Sequence, residues 1–230
     1  MGEITDSNYT KLQIEKLLRE HGFEYQRVSL PYGLSTPGAD RSTTRDIVFP
    51  ASFQGKSVLD VGSALGYFCF EAEARGAGRV VGYEPMTRRF EQAMLLKKIK
   101  QSRVEFVNAD ITKQPPPDQF DYVLLLNVIH HLREPVRAIR QLALVARESL
   151  VIEFPTLEDS KFRATTRVPF LFLLNHLPFI GVSSIRISDQ TFVFTKKAIE
   201  RIVQDHDILF QKIAFVRSPM KGRAIVLCTK

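Results

Sequence analysis

An α/β fold, with a parallel sheet carrying helices on both faces and an antiparallel hairpin at one edge, is predicted for this 230-residue sequence by three observations. Short apolar runs at 57–61, 79–83, 103–107, 120–126 and 148–153 alternate with helical stretches near 66–76, 86–100 and 134–147, the order that builds a parallel sheet through crossover helices. The first run passes straight into a glycine-punctuated turn and a helix start, Val58-Leu-Asp-Val-Gly-Ser-Ala-Leu-Gly-Tyr-Phe-Cys-Phe-Glu-Ala72. The last third changes style. A helix near 195–206 leads into His206-Asp-Ile-Leu-Phe-Gln-Lys-Ile-Ala-Phe-Val216, a turn over Ser218–Gly222 and a strand Arg223–Cys228, which read as the hairpin edge.

The elements ahead of the first strand follow from capping and periodicity. Asp6 to Gly22 reads as a cover helix: Leu12, Ile14, Leu17 and Leu18 share a face, Asp6 or Ser7 supplies the N-cap and Gly22 the stop. Residues 28–50, with the polar run Ser35-Thr-Pro-Gly-Ala-Asp-Arg-Ser-Thr-Thr-Arg-Asp46, read as a loop folding toward the ligand edge. One compact domain over 1–230 is expected, with 1–54 as its N-terminal cover helix and loop, because an apolar content of 44% can fill one core at this length.

The glycine turn carries the chemistry. Gly62 and Gly66 let the backbone pass close beneath a ligand, and the helix that follows offers free N–H groups at its start. Asp60 stands at the strand's carboxyl end, facing that loop. The spacing Asp-x-Gly-x-x-x-Gly, with Ala64 in the middle, departs from the G-x-G-x-x-G of a dinucleotide site and argues against a nicotinamide cofactor. A second strand, Arg79-Val-Val-Gly-Tyr-Glu84-Pro85, ends in a carboxylate about 20 residues past the glycines, where a ribose ligand is required, so Glu84 is expected to accept from two ribose hydroxyls. A third strand ends at Asp110-Ile111 and a fourth at Asn127-Val-Ile-His130-His131.

That ordered set, Asp60/Gly62/Gly66, Glu84, Asp110 and Asn127-Val-Ile-His-His, resembles a class I S-adenosylmethionine (SAM) dependent methyltransferase over residues 55–155. The resemblance implies a Rossmann-like, seven-stranded methyltransferase fold and SAM as cofactor. It implies cofactor contacts from Asp60, Gly62, Ser63, Gly66, Tyr67, Glu84, Pro85, Asp110, Ile111 and Asn127, with Asp110 at the adenine amino group and Ile111 on the ring. The phrase Gly66-Tyr-Phe-Cys-Phe-Glu-Ala-Glu-Ala-Arg-Gly-Ala77 is similar to a bacterial subgroup that includes relatives of the tRNA wobble-uridine carboxymethyl-transferring enzyme. Where that subgroup places a tyrosine used to hold a carboxylated SAM, this chain has His130, so ordinary SAM is expected.

Methyl transfer needs mainly positioning, since the sulfonium already carries an activated methyl group. Proton removal from the acceptor falls to His130 and His131 as catalytic candidates at the mouth of the fourth strand, His130 facing the acceptor as general base. Arg41 and Arg45 are read as surface residues. The preferred function is methyl transfer by in-line displacement to oxygen of a small or amphiphilic acceptor, beneath a lid built from 155–192. An RNA (tRNA) modifying methyltransferase and a SAM-binding regulatory protein without turnover are the alternatives.

Charge bears on the partner. Residues 160–230 carry twelve Lys/Arg against four Asp/Glu, while residues 1–159 are nearly balanced, so the whole net charge of +7 arises after the fifth strand. The same segment holds the apolar run Val168–Val182. Basic and apolar character together suit a lipid-like acceptor or peripheral contact with an anionic membrane, and the charge alone suits RNA. Cys69 and Cys228 have no ligand-like spacing, so no metal site or disulfide framework is expected. The apolar run is too short and interrupted to span a bilayer, and a cytoplasmic location is expected.

Overall fold

A computed structural model describes residues 8–165, 171–182, 192–204 and 210–230. Its principal sheet has seven strands in the order β3-β2-β1-β4-β5-β9-β8, and the chain divides into two compact units, 1–114 and 115–230.

The first unit holds α1 (Lys11–His21), a 3-10 turn at Pro31–Gly33, α2 (Ser42–Val48), β1 (Ser57–Val61), α3 (Tyr67–Ala74), β2 (Arg79–Tyr83), α4 (Thr87–Lys100) and β3 (Glu105–Val107). Strand β2 lies parallel between β1 and β3, with Asp60 opposite Gly82 and Gly82 opposite Phe106. Val58, Leu59, Val80 and Val81 are buried, as strands covered on both faces demand of a parallel sheet.

Three expectations for this unit need correction. Helix α1 starts at Lys11, capped by Thr10, which exchanges hydrogen bonds with Gln13 in a capping box. Asp6 and Ser7 lie outside the described residues. Of the apolar face only Ile14 is fully buried, and Leu12 is exposed; Gly22 does end the helix, in the left-handed region. The polar run 35–46 is not all loop. It contains the start of α2, whose buried face is Thr44 and Val48, one turn apart, while Arg45 on the other side pairs with Asp46 and Glu71. The third strand is shorter than the expected 103–107.

The second unit holds β4 (Phe120–Leu126), a 3-10 turn at Ile129–His131, α5 (Pro135–Val145) and β5 (Ala146–Pro155). These are followed by α6 (Ser160–Thr165), a 3-10 turn at Leu171–His176, β6 (Ile180–Val182), β7 (Phe192–Phe194), α7 (Lys196–Val203), β8 (Lys212–Arg217) and β9 (Arg223–Thr229). Strand β4 runs parallel to β5, and β9 lies antiparallel to both β5 and β8, the hairpin edge expected from the sequence. The strand expected over 206–216 begins at Lys212; residues 205–209 lie outside the described residues.

The described parts of 155–192 contain regular structure. Strands β6 and β7 pair antiparallel, and Leu157, Phe162 and Val193 form an apolar cluster against which Leu174 and Phe179 pack. Thr195 ties it to α7: its hydroxyl donates to Leu177 O (2.6 Å) and accepts from Phe179 N (3.0 Å) and Ala198 N (3.2 Å). Within the apolar run, Leu173, Leu177 and Val182 are exposed, while 168–170 lie outside the described residues. No helix among the described residues is long and apolar enough to cross a membrane.

Gly222 anchors the other end of this stretch. It sits at φ +77°, a Cβ there would lie 2.7 Å from Asp159 Cα, and its carbonyl accepts from both the amide and hydroxyl of Thr156. Replacing Gly222 with Ala is expected to cost about 1–3 kcal/mol in urea unfolding, from combined strain and backbone collision. An unchanged midpoint would show that the 156–159 turn yields freely.

Candidate cofactor site

The loop after β1 alternates in handedness. Gly62, Ala64 and Gly66 all have positive φ, at +73°, +51° and +84°, so the chain coils back on itself and turns its amides inward. Gly62 N and Ser63 N donate to Tyr83 O (2.8 and 3.0 Å), which ties the loop to the end of β2. Gly66 is needed for two reasons: its φ, and a Cβ that would sit 2.5 Å from the Phe106 ring. The sequence pointed to ligand approach as the reason for glycine here. An aromatic ring of β3 is a further reason.

Glu84, 2% exposed, is the hinge of the site. Its Oε2 accepts from Ala64 N and its Oε1 from Met86 N, both at 2.9 Å. One amide on each oxygen leaves half the acceptor capacity of the carboxylate for other donors. Burial raises its pKa, against the lowering effect of the Met86 and Ala64 amides. Asp60, equally buried, accepts from the Cys69 thiol at 3.5 Å. Burial pushes its pKa up to about 7, with the thiol bond opposing and the Glu84 charge adding. Ser63 Oγ is buried with no hydrogen-bond partner among the described residues.

The other expected positions vary. Asp110, partly exposed, accepts from the Thr112 amide (2.9 Å) and hydroxyl (2.7 Å) and so opens a turn; Ile111 beside it is buried and Pro85 exposed. Tyr67 is buried edge-on against Phe68, with ring centroids 5.1 Å apart, and burial raises its pKa to about 12. Arg45 is engaged by Glu71 and Asp46, and the Arg41 guanidinium lies over the Phe68 ring. No sequence motif marks Gln26. It lies in a polar loop, is buried, and accepts from Leu65 N and Tyr67 N at the start of α3.

In the second unit, Asn127 ends β4 at φ +64° and donates its amide to Glu153 O (3.3 Å). His130 is 1% exposed, with Nδ1 3.5 Å from Arg223 Nη1 and its ring 4.1 Å from that of His131, which is exposed. Arginine has only donors to offer, so Nδ1 is the lone-pair nitrogen and Nε2 carries the proton. Burial, then the charges of Arg223, His131 and Lys161, bring its pKa down to about 2. A near-neutral titrating base was expected at His130. Burial and the positive charges around it favour the neutral imidazole there. Glu153, fully buried near the end of β5, accepts from Ser218 Oγ (2.5 Å); a lone acid inside Leu150-Val-Ile-Glu-Phe154 was the sequence signal for it.

The glycine loop, the buried acid ending β2 and the strand order all suit a nucleoside-binding α/β domain, and residues 40–207 match the family described as a methyltransferase domain. The chain belongs to that family. Among curated relatives it is similar to tRNA U34 carboxymethyltransferase of Campylobacter hominis, 33% identical over 90 residues, and of Alteromonas mediterranea, 31% identical over 143 residues. Those matches cover 39% and 58% of this chain but only 32% and 43% of the relatives' length. The methyltransferase fold also recurs in solved structures. The N-terminal domain of EvdMO1, solved with SAH and D-fucose, superposes with a TM-score of 0.69 at 13% identity, covering 96% of this chain and 97% of that one. Magnesium protoporphyrin IX methyltransferase from Synechocystis with bound SAM gives 0.55 at 16% identity, covering 77% and 71%.

The raised pKa of Asp60 has a definite sign in stability. Its protonated form favours the fold, so its contribution is complete below its ordinary value of 3.8 and is lost as pH rises through about 7. The ligand-free Asp60→Asn protein is therefore expected to gain little over wild type at pH 4. The gain should grow with pH and level off above about 7 at roughly 2–4 kcal/mol by chemical denaturation. A pH-independent difference would mean that Asp60 ionises as freely in the fold as outside it.

Proposed function

We propose that the loop from Gly62 to Gly66, together with Glu84, binds SAM, and that this methyltransferase passes the methyl group to an RNA acceptor. The observation that carries the cofactor half is Glu84: a buried carboxylate, anchored by the two amides of Ala64 and Met86, with acceptor capacity remaining for a pair of ribose hydroxyls. Bound SAM would supply an activated methyl group on a sulfonium. Asp60 and Glu84 would set negative charge beneath that cation, Gly62 and Ser63 would hold the loop open, and Asp110, Ile111, Pro85, Tyr67 and Asn127 would complete the cofactor contacts. A neutral His130 would orient the acceptor as a donor through Nε2. His131, exposed beside it, is the imidazole left to take the acceptor's proton.

The RNA reading is supported by the named activity of the partial relatives and by charge. Besides the basic surplus of 160–230, Arg137 and Arg140 are exposed three residues apart on α5, a spacing that keeps them on one side of the helix, and Arg133 ahead of the helix and Arg147 at the start of β5 are exposed as well. Glu134 and Asp121 offset Arg137 and Arg147 in part. A second reading, oxygen methylation of a small or amphiphilic acceptor under the 155–192 segment, is favoured by the end-to-end match to the EvdMO1 domain and by the separate apolar cluster of that segment.

Calorimetry is expected to show binding of SAM and S-adenosylhomocysteine and none of NAD. Glu84→Ala should weaken SAM by about 10- to 100-fold, equivalent to about 1–3 kcal/mol for lost hydrogen bonds to a charged acceptor; unaltered affinity in a folded variant would remove Glu84 from the site. For the acceptor, methyl label from SAM should enter unmodified tRNA, with binding that falls steeply with salt. Label entering only small hydroxylated or amphiphilic compounds would replace the RNA reading with the second one.

A further inference from the structure

The start of a helix behind a glycine loop ordinarily offers free N–H groups to an anion, but at α3 the first of them, Tyr67 N, is already taken, together with the loop amide of Leu65 just ahead of the helix. Gln26 Oε1 accepts from Leu65 N (3.0 Å) and from Tyr67 N (3.3 Å). Gln26 lies ahead of the family-matched stretch and is only 5% exposed. Its backbone is clamped: Thr36 Oγ1 donates to Gln26 O (2.7 Å) while accepting from Val28 N (2.8 Å), and Arg27 N donates to Ala39 O (2.9 Å). Gly38, at φ +136°, passes so close that a Cβ would fall 2.7 Å from Gln26 N.

An amide has two arms, and only one is used. Nε2 of Gln26 carries two donors and has no protein acceptor among the described residues. Ser63 Oγ, 1% exposed in the same loop, also lacks a partner. Of the two, Ser63 Oγ is a buried orphan, which is costly unless a ligand supplies its partner, while Gln26 Nε2 keeps its two donors available to a ligand. We propose that Gln26 is a cofactor-binding residue that relays the positive end of α3 to the methionyl carboxylate of SAM, capping the helix through Oε1 and donating to the carboxylate through Nε2. The inference rests on the SAM reading above. Accepting two N–H bonds draws electron density to the amide oxygen and strengthens Nε2 as a donor. The helix field thus reaches the ligand through one neutral side chain.

A residue that merely capped the helix would work as well or better as a carboxylate, since acids are favoured at helix N-termini. A residue that also donates to an anion would not. Gln26→Glu therefore separates the two roles, read by calorimetry with S-adenosylhomocysteine and with 5′-methylthioadenosine, which keeps the adenosine and sulfur but lacks the amino-acid end. The variant is expected to melt no lower than wild type, to bind methylthioadenosine within about twofold of wild type, and to lose at least about tenfold for S-adenosylhomocysteine, the scale of one charge-assisted hydrogen bond. Gln26→Leu, which removes both arms without adding charge, should keep the same order, with S-adenosylhomocysteine losing more. Unchanged S-adenosylhomocysteine affinity, or equal losses for both ligands, would overturn the relay. If wild type bound neither ligand, the SAM reading would fall, a result distinct from any behaviour of Gln26.

Discussion

The bond from Ala64 N to Glu84 Oε2 is the constraint on which the first unit is arranged. It holds a non-glycine residue at positive φ, fixes the loop over the end of β2 and commits a carboxylate to a dry environment. A second buried acid, Asp60, then stands one strand away, and each charge raises the cost of the other. Among the described residues no lysine or arginine is paired with Asp60; its hydrogen-bond partner is a thiol. Such an arrangement makes poor sense as a stabilising device, because unpaired buried acids favour unfolding at neutral pH. Buried acids with raised pKa values are instead what a binding site for a cationic ligand calls for.

What could be read from the chain is what depends on near neighbours. Asp60, Gly62, Gly66 and Glu84 lie within one strand-turn-helix-strand passage, so spacing alone placed them, and the order of parallel strands followed from alternating apolar runs. Features set by distant partners were hidden. Gln26 meets α3 across about 40 residues of chain and sits in a polar loop with no periodicity to mark it. Helix α2 escaped notice because only two of its seven residues are buried, too few for an apolar stripe. The surroundings of His130 include Arg223, 93 residues onward; local sequence shows only a histidine at a strand end, while burial beside a guanidinium favours its neutral form. Strands β6 and β7, three residues each, are too short to announce themselves.

The two units differ in how they treat polar groups. The first keeps its acids buried against amides and a thiol. The second places Glu153 under the Ser218 hydroxyl and an imidazole beside an arginine, so these two buried groups face protein partners. This asymmetry explains why the cofactor half of the family resemblance was specific and the acceptor half was not: the first follows from a fixed backbone trick, the second from side chains contributed by late strands and an insert, where family members diverge.

Cys69 carries a consequence of its own. Its thiol is fully buried and hydrogen-bonded to Asp60, and burial together with the Asp60 charge drives its pKa well above the ordinary range. A thiol without thiolate character is inert to alkylating agents and oxidants, so modification must wait for the loop to part from α3. The rate at which Cys69 is labelled in the folded protein is thus a built-in clock for opening of the pocket floor, wound by the same carboxylate that gives the site its charge.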